Sequence, residues 1–329
     1  MNTSVTKLSS SEISCFPEYD NHAEVYRFEN TAVGLRGYIS IHRKRGRLST
    51  GGTRFFPFQS DADALRDGLR LSAAMTAKCV VSGLPYGGAK GVIIGDPKIV
   101  KTEALLLAYA EVVESLDGAF RTGEDVGMSE SDVQTMMTKS RFFNGKSDIA
   151  GDPSPYASLS VYVTMKEAAR IHLQKENLEG FTVSIKGLGK VGSGLVDLLA
   201  QEKTRMVGAD IDPAREAHTL TLKPAVSFLP VDEVAYAPCD VFAPCAMGKE
   251  VRLDNIARFQ TKIICGGANN QLETPDLAQA LADRGVLYVP DYLANAGGVI
   301  NVSDELEEDG YHKERVISRI NNLAVVLRD

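Results

Sequence analysis

The chain has 329 residues, 44% of them hydrophobic and 24% charged, and a net charge of −7. That length exceeds one ordinary core and points to two domains, and the composition is that of a soluble globular protein. The acidic balance argues against a nucleic-acid or anionic-membrane surface, no apolar run approaches the length of a membrane span, and residues 1–14 are too polar for a signal peptide.

The five cysteines (Cys15, Cys79, Cys239, Cys245, Cys265) form no C-x-x-C pair, so no metal site is expected. Four of them lie in apolar runs, as expected of reduced, buried thiols in a cytoplasmic protein. The only short basic cluster, Arg43, Lys44 and Arg45 with Arg47, reads as a solvated turn.

In chain order, residues 1–22 read as a weakly ordered lead-in. Residues 34–42 (GLRGYISIH) alternate like a strand, and a glycine turn follows at 49–54. A long amphipathic helix is expected over 61–78, with Ala64, Leu65, Leu69, Leu71 and Met75 at helical spacing and Ser60 as its N-cap. Residues 83–91 (GLPYGGAKG) read as a loop too rich in glycine for a helix or a central strand. A buried strand at 92–94, a helix over 102–116 and a glycine-flanked acidic turn at 122–127 come next, and Ser129 begins a short helix. The polar, Gly- and Pro-bearing stretch 144–155 marks a boundary between a domain at 1–150 and one at 151–310.

The second half is organised around TVSIKGLGKVGSGLVDLLAQEKTRMVGADIDP, residues 182–213. A β-prone run enters Gly187, Gly189 and Gly192, at G-x-G-x-x-G spacing with Leu188, Lys190 and Val191 between them. An apolar-periodic helix carries Leu195, Val196, Leu198 and Leu199, and a second β-prone run ends at Asp210, 23 residues after Gly187. This β-α-β unit suits a dinucleotide: the glycines let the backbone approach the pyrophosphate, and the helix N-terminus offers N–H groups to the anion. An acid at Asp210 would accept hydrogen bonds from the adenosine ribose and repel a 2′-phosphate, favouring NAD over NADP. Apolar runs at 241–243, 263–264 and 286–289 then alternate with helical segments, as in a Rossmann-type doubly wound sheet. A C-terminal helix over 311–329 is expected to lead back toward the first domain.

In the first half, Lys78, Lys90 and Asp125 stand out by their glycine-rich or apolar flanks. Spacing alone leaves open whether they are surface charges or face a ligand. The plan is that of a two-domain α/β dehydrogenase, with chemistry between the domains. A 2-hydroxy-acid dehydrogenase fits the β-α-β unit too, but none of the five histidines sits in a glycine-rich loop.

MTAKCVVSGLPYGGAKGVIIGDP (75–97) resembles the active-site signature of the glutamate/leucine/phenylalanine/valine dehydrogenases. So do STGGTRF (49–55), GEDVG (123–127), CDVFAPCAMG (239–248), GGANNQL (266–272) and VPDYLANAGGVINVSDE (289–305). The pattern is nearer the leucine, phenylalanine and valine enzymes. The resemblance implies an N-terminal substrate and oligomerisation domain, a C-terminal NAD-binding domain, a homo-oligomer, and reversible oxidative deamination of an L-amino acid to a 2-oxo acid and ammonium. It implies that Lys78 binds the substrate α-carboxylate, helped by Asn295 and the backbone at Gly52, that Lys90 activates water, and that Asp125 relays protons. It places cofactor contacts at Ala243, Cys245, Ala268, Asn269 and Asn295. Glutamate enzymes carry a lysine where Thr50 stands and a serine at Val302, so a γ-carboxylate would be left unpaired and an apolar side chain is expected. A glutamate dehydrogenase and an inactive NAD-binding relative are the alternatives. Ser158 stands near the position of the family threonine beside the nicotinamide, and relatives usually extend a few tens of residues past Asp329.

Overall fold

A computed structural model of the chain describes residues 3–46, 48–145, 149–223 and 225–329. Arg47 of the basic cluster and residues 146–148 of the expected boundary lie outside the described residues. The chain divides into two compact units: Met1–Gly151 with Glu305–Tyr311, and Asp152–Asp304 with His312–Asp329.

Unit 1 is built on a sheet ordered β1-β2-β3-β6-β4-β7, with β5 also paired to β6. Its strands are β1 (Ser4–Lys7), β2 (Glu24–Asn30), β3 (Leu35–Ile41), β4 (Ser49–Thr50), β5 (Thr53–Phe56), β6 (Gly87–Ile94) and β7 (Phe120–Arg121). The first strands pair antiparallel, whereas β4 and β5 run parallel to β6. The helices are α1 (Ser10–Ile13), α2 (Asp61–Val81), α3 (Pro97–Val100), α4 (Glu103–Ser115) and α5 (Glu130–Met137). Ser60 caps α2 by accepting the Asp63 N–H, and Ser129 caps α5 in a capping box with Asp132. One face of the sheet buries Leu65, Leu69 and Val92 under α2; the other buries Phe28, Ile93, Tyr109 and Val133 with α4 and α5.

Two expectations are corrected here. The lead-in is not weakly ordered: β1 adds to β2 as an edge strand, and Ile13 is buried against Val25 and Leu65. The glycine-rich segment is no loop from Gly87 onward but the central strand β6, hydrogen-bonded to β3, β4 and β5. Its glycines serve close packing: a Cβ at Gly88 would lie 2.1 Å from the Thr76 nitrogen of α2, and one at Gly91 2.2 Å from the Tyr109 hydroxyl. Only a strand without side chains at these positions fits so tightly between helix layers.

Unit 2 holds a wholly parallel sheet ordered β10-β9-β8-β11-β12-β13. Its elements are α6 (Ser154–Leu173), β8 (Thr182–Lys186), α7 (Lys190–Ala200), β9 (Arg205–Ala209), α8 (Pro213–Leu222), β10 (Val226–Phe228), β11 (Val241–Pro244), β12 (Ile263–Ile264), α9 (Leu277–Ala282), β13 (Leu287–Tyr288), α10 (Asp291–Ala294), α11 (Gly297–Ser303) and α12 (Lys313–Arg328). Counted from β8 this is the order 3-2-1-4-5-6 of dinucleotide-binding folds, whose switch point lies between β8 and β11. The C-terminal helix does not belong to unit 1: α12 buries Val316, Ile320 and Leu323 and packs on α6 and α11. Buried Asp304 holds it, taking Arg315 Nε at 2.7 Å and Arg319 Nη1 at 3.1 Å.

Candidate active site

In unit 1, β6 carries Lys90 opposite Ser40 of β3, and Lys78 lies in the last turn of α2; both lysines are buried. The Lys90 ammonium contacts the Asp125 carboxylate. Asp125 is steered by its neighbour Val126, whose N–H donates to Oδ1 at 2.7 Å, and by Arg54 Nη2 at 3.8 Å from the same oxygen. Arg54 donates in turn to Asp67 at 2.8 Å, and Arg70 to Asp67 at 2.6 Å. Burial pulls the Lys90 pKa down, and the positive neighbours Arg54, Lys78 and Arg70 add to it, to about 7. The Asp67 carboxylate opposes this by favouring the ammonium, but desolvation of a wholly enclosed amine dominates.

The sequence makes this cluster by steric permission. A Cβ at Gly52 would lie 2.5 Å from the Glu124 carbonyl oxygen and 3.0 Å from the Asp125 Cβ. Glycine there lets the acidic turn fold down onto β4 and β5, so that Asp125 meets Lys90. Thr50 is buried in β4, with Gly88 of β6 and Arg121 of β7 as its cross-strand partners. Lys78, Lys90, Asp125, Gly52 and Thr50 therefore lie within one unit. Arg54 is the member that sequence reasoning missed; its signal was the arginine in Gly51-Gly52-Thr53-Arg54, half-buried between buried Thr53 and Phe55 on β5.

In unit 2 the loop after β8 forms a cradle. Gly187 has φ +100°, which favours glycine, and a Cβ there would lie 2.8 Å from Ala246. A Cβ at Gly192 would lie 1.9 Å from the Gly187 oxygen, whereas Gly189, the N-cap of α7, faces open space save for Arg215 Nη1 at 3.6 Å. No side chain caps α7, so its N-terminus is left to take an anion, and the cradle fits the pyrophosphate of a dinucleotide. Lys190 is exposed and pairs with Asp152 at 2.9 Å. Val191 packs into the gap left by Gly267.

Asp210 stands at the end of β9. It accepts the Leu188 N–H at 2.7 Å and the Asp212 N–H at 2.9 Å, with Arg215 Nη1 at 3.4 Å. Burial opposes its charge, but these N–H groups and Arg215 hold its pKa below the ordinary carboxylate value. Ala243 and Ala268 are buried, Cys245 accepts the Gly267 N–H at 3.5 Å, Asn269 is exposed, and Val302 is half-buried on α11.

Two side chains differ from expectation. Asn295 turns its amide nitrogen to Asn269 Oδ1 at 2.9 Å and to the Gly267 oxygen at 3.2 Å, while its Oδ1 is buried without a partner. What it leaves unsatisfied is an acceptor, which suits an ammonium or amide rather than a carboxylate. Ser158 is buried and donates to the Ser154 and Val191 carbonyl oxygens at 3.0 and 2.9 Å, so its hydroxyl serves the packing of α6 on α7. Of the thiols, Cys79 and Cys265 are buried, Cys239 and Cys245 half-buried and Cys15 exposed, all free. Among the described residues no helix is long and apolar enough to cross a membrane, and no group of three metal-binding side chains is assembled.

Comparison with known proteins shows the family of the chain. Residues 21–142 match the family model described as Glu/Leu/Phe/Val dehydrogenase, dimerisation domain, and residues 210–321 the one described as Glutamate/Leucine/Phenylalanine/Valine dehydrogenase. A valine dehydrogenase of Streptomyces coelicolor is 39% identical over 87% of this chain and 80% of its own length; a leucine dehydrogenase of Bacillus cereus is 36% identical over 95% and 85%. The crystal structure of L-tryptophan dehydrogenase from Nostoc punctiforme superimposes with a TM-score of 0.77 at 37% identity, covering 89% of this chain and 84% of that one. The chain belongs to the glutamate/leucine/phenylalanine/valine dehydrogenase family.

Proposed function

We propose that the protein is a cytoplasmic, homo-oligomeric amino acid dehydrogenase that converts an apolar L-amino acid, reversibly and with NAD, to its 2-oxo acid and ammonium. The observation that carries this reading is Lys90: a buried amine with a pKa near 7, in contact with a carboxylate fixed by its own backbone. An amine in that state exchanges protons at neutral pH, which an ordinary surface lysine does not.

In the forward direction Lys78 holds the substrate carboxylate. NAD, when bound, supplies the acceptor for the hydride leaving Cα. Asp125 takes a proton from the substrate ammonium and returns it to the departing nitrogen, while neutral Lys90 takes a proton from the water that adds to the imino carbon. Arg54 and the Val126 N–H keep Asp125 aimed. NAD rather than NADP is supported by Asp210, with Asp212 and Glu216 beside it, an acidic surrounding for a 2′-phosphate. Assembly through unit 1 is supported by the family model's description of residues 21–142 as a dimerisation domain.

Thr50 in place of a cation supports an apolar side chain, as do the substrates in the names of the valine, leucine and tryptophan dehydrogenases. Arg121, cross-strand partner of Thr50, is the one observation on the side of glutamate. The test is the near-ultraviolet absorbance of reduced nicotinamide, followed with NAD and leucine, valine, isoleucine, phenylalanine, tryptophan or glutamate at mildly alkaline pH. Turnover of an apolar amino acid and not of glutamate is expected. Turnover of glutamate alone would overturn the substrate reading, and binding of NADH with no turnover at all would overturn the catalytic one.

A further inference from the structure

The edge of the sheet in unit 1 carries two polar groups that turnover of an apolar amino acid does not use. Arg121 ends β7 half-buried; its guanidinium lies 5.7 Å from the Phe142 ring and, among the described residues, forms no hydrogen bond or ion pair. Asn144 is 5% exposed, and its Oδ1 is buried without a hydrogen-bond partner. Both line one cavity of about 370 Å³, together with Glu305 and the apolar side chains of Phe143, Ile149 and Leu306. Buried polar groups in native folds are nearly always paired, so a donor-only cation and an acceptor-only oxygen left open in one cavity ask for a ligand that completes both.

The required ligand has a negative group for Arg121, a donor for Asn144 Oδ1, which lines the cavity with the Glu305 carboxylate, and an apolar body. A free amino acid with an apolar side chain meets all three conditions, and the volume lies within the range of small-molecule sites. We propose that this cavity is a second amino-acid site, distinct from the Lys78, Lys90 and Asp125 cluster, none of which lines it. It goes beyond the proposed reaction and does not depend on it. Arg121 pairs in register with Thr50, so an occupant held by Arg121 bears on the strand that carries Thr50.

The test removes the carboxylate anchor of the first site. The Lys78→Ala chain, without dinucleotide, is titrated calorimetrically with L-leucine and with L-phenylalanine. One saturable site is expected to remain, and to weaken by at least about tenfold when Arg121→Ala or Asn144→Leu is added, as for a lost charge-assisted contact. Thermal melting checks that each variant folds. Should Lys78→Ala not fold, the wild-type titration answers instead: two sites per chain, reduced to one by Arg121→Ala. No saturable binding outside the first site, or binding indifferent to Arg121 and Asn144, overturns the proposal. Wild-type turnover, measured separately, reports on the catalytic reading, so the two can fail independently.

Discussion

Two lysines sit among glycines in this chain, and their fates are opposite. Lys90 follows Gly87, Gly88 and Ala89 and precedes Gly91; Lys190 lies between Gly189 and Gly192. In the first case the glycines are extended strand, and their missing side chains let α2 and Tyr109 close on β6 until the lysine is 6% exposed. In the second, Gly187 turns the chain at positive φ and Gly192 lets the helix start close behind it, which leaves the Lys190 side chain 76% exposed. Composition is shared; what differs is whether the glycines remove bulk from a packed layer or permit a turn in front of an anion site.

The largest contrast between the two should appear on replacing each by alanine. Lys90→Ala is expected to lower kcat by about 10²–10⁴-fold, the range for a general base, with NADH binding retained. Lys190→Ala, which loses an exposed ion pair to Asp152, should stay within a few fold. Wild-type kcat/KM should rise as pH climbs through about 7, because the proton that inactivates Lys90 is lost there, and that limb should vanish in Lys90→Ala. Near-normal turnover in Lys90→Ala would remove Lys90 from the mechanism.

The glycines sharpen the same contrast at a smaller scale. Gly88→Ala sets a methyl 2.1 Å from the Thr76 nitrogen inside a packed layer, so melting should fall by an amount corresponding to about 3 kcal/mol. Gly192→Ala presses on the Gly187 carbonyl at the turn that precedes α7, so the chain should melt nearly as before while NADH binds at least about tenfold more weakly. The reverse pattern, a stable Gly88→Ala and an unstable Gly192→Ala, would mean that the two glycine segments have been assigned each other's role.

What the sequence made legible follows from range. The β-α-β unit around Gly187, the caps at Ser60 and Ser129 and the periodic helices α2 and α4 are local signals, and the structure has them where the residues indicate. The central strand β6 was not legible, because low strand propensity at Gly87, Gly88 and Gly91 is outweighed by what packs on them from distant segments. The edge strand β1 and the docking of α12 on α6 are likewise set by partners far away in sequence. At the site, Lys78, Lys90 and Asp125 were visible through their flanks. Arg54 was not, since its role is to reach Asp125 and Asp67, and no spacing rule encodes that meeting. The direction in which Asn295 turns its amide is a property of the carbonyl oxygens around it, Gly267 above all.

Asp210 gives the smallest effect and tests the dinucleotide side of the comparison. Its carboxylate anchors the Leu188 N–H of the glycine loop, and in the proposed function it also repels a 2′-phosphate. Asp210→Asn keeps an oxygen for Leu188 and removes the charge, so NADH binding should change only a few fold while the preference for NADH over NADPH falls by about tenfold, as for the loss of one partly screened charge. Asp210→Ser removes the reach as well and should weaken both dinucleotides. An unchanged preference in Asp210→Asn would shift the discrimination to Asp212, whose carboxylate lies 3.7 Å from Arg215, and to Glu216, which accepts the Asp210 N–H.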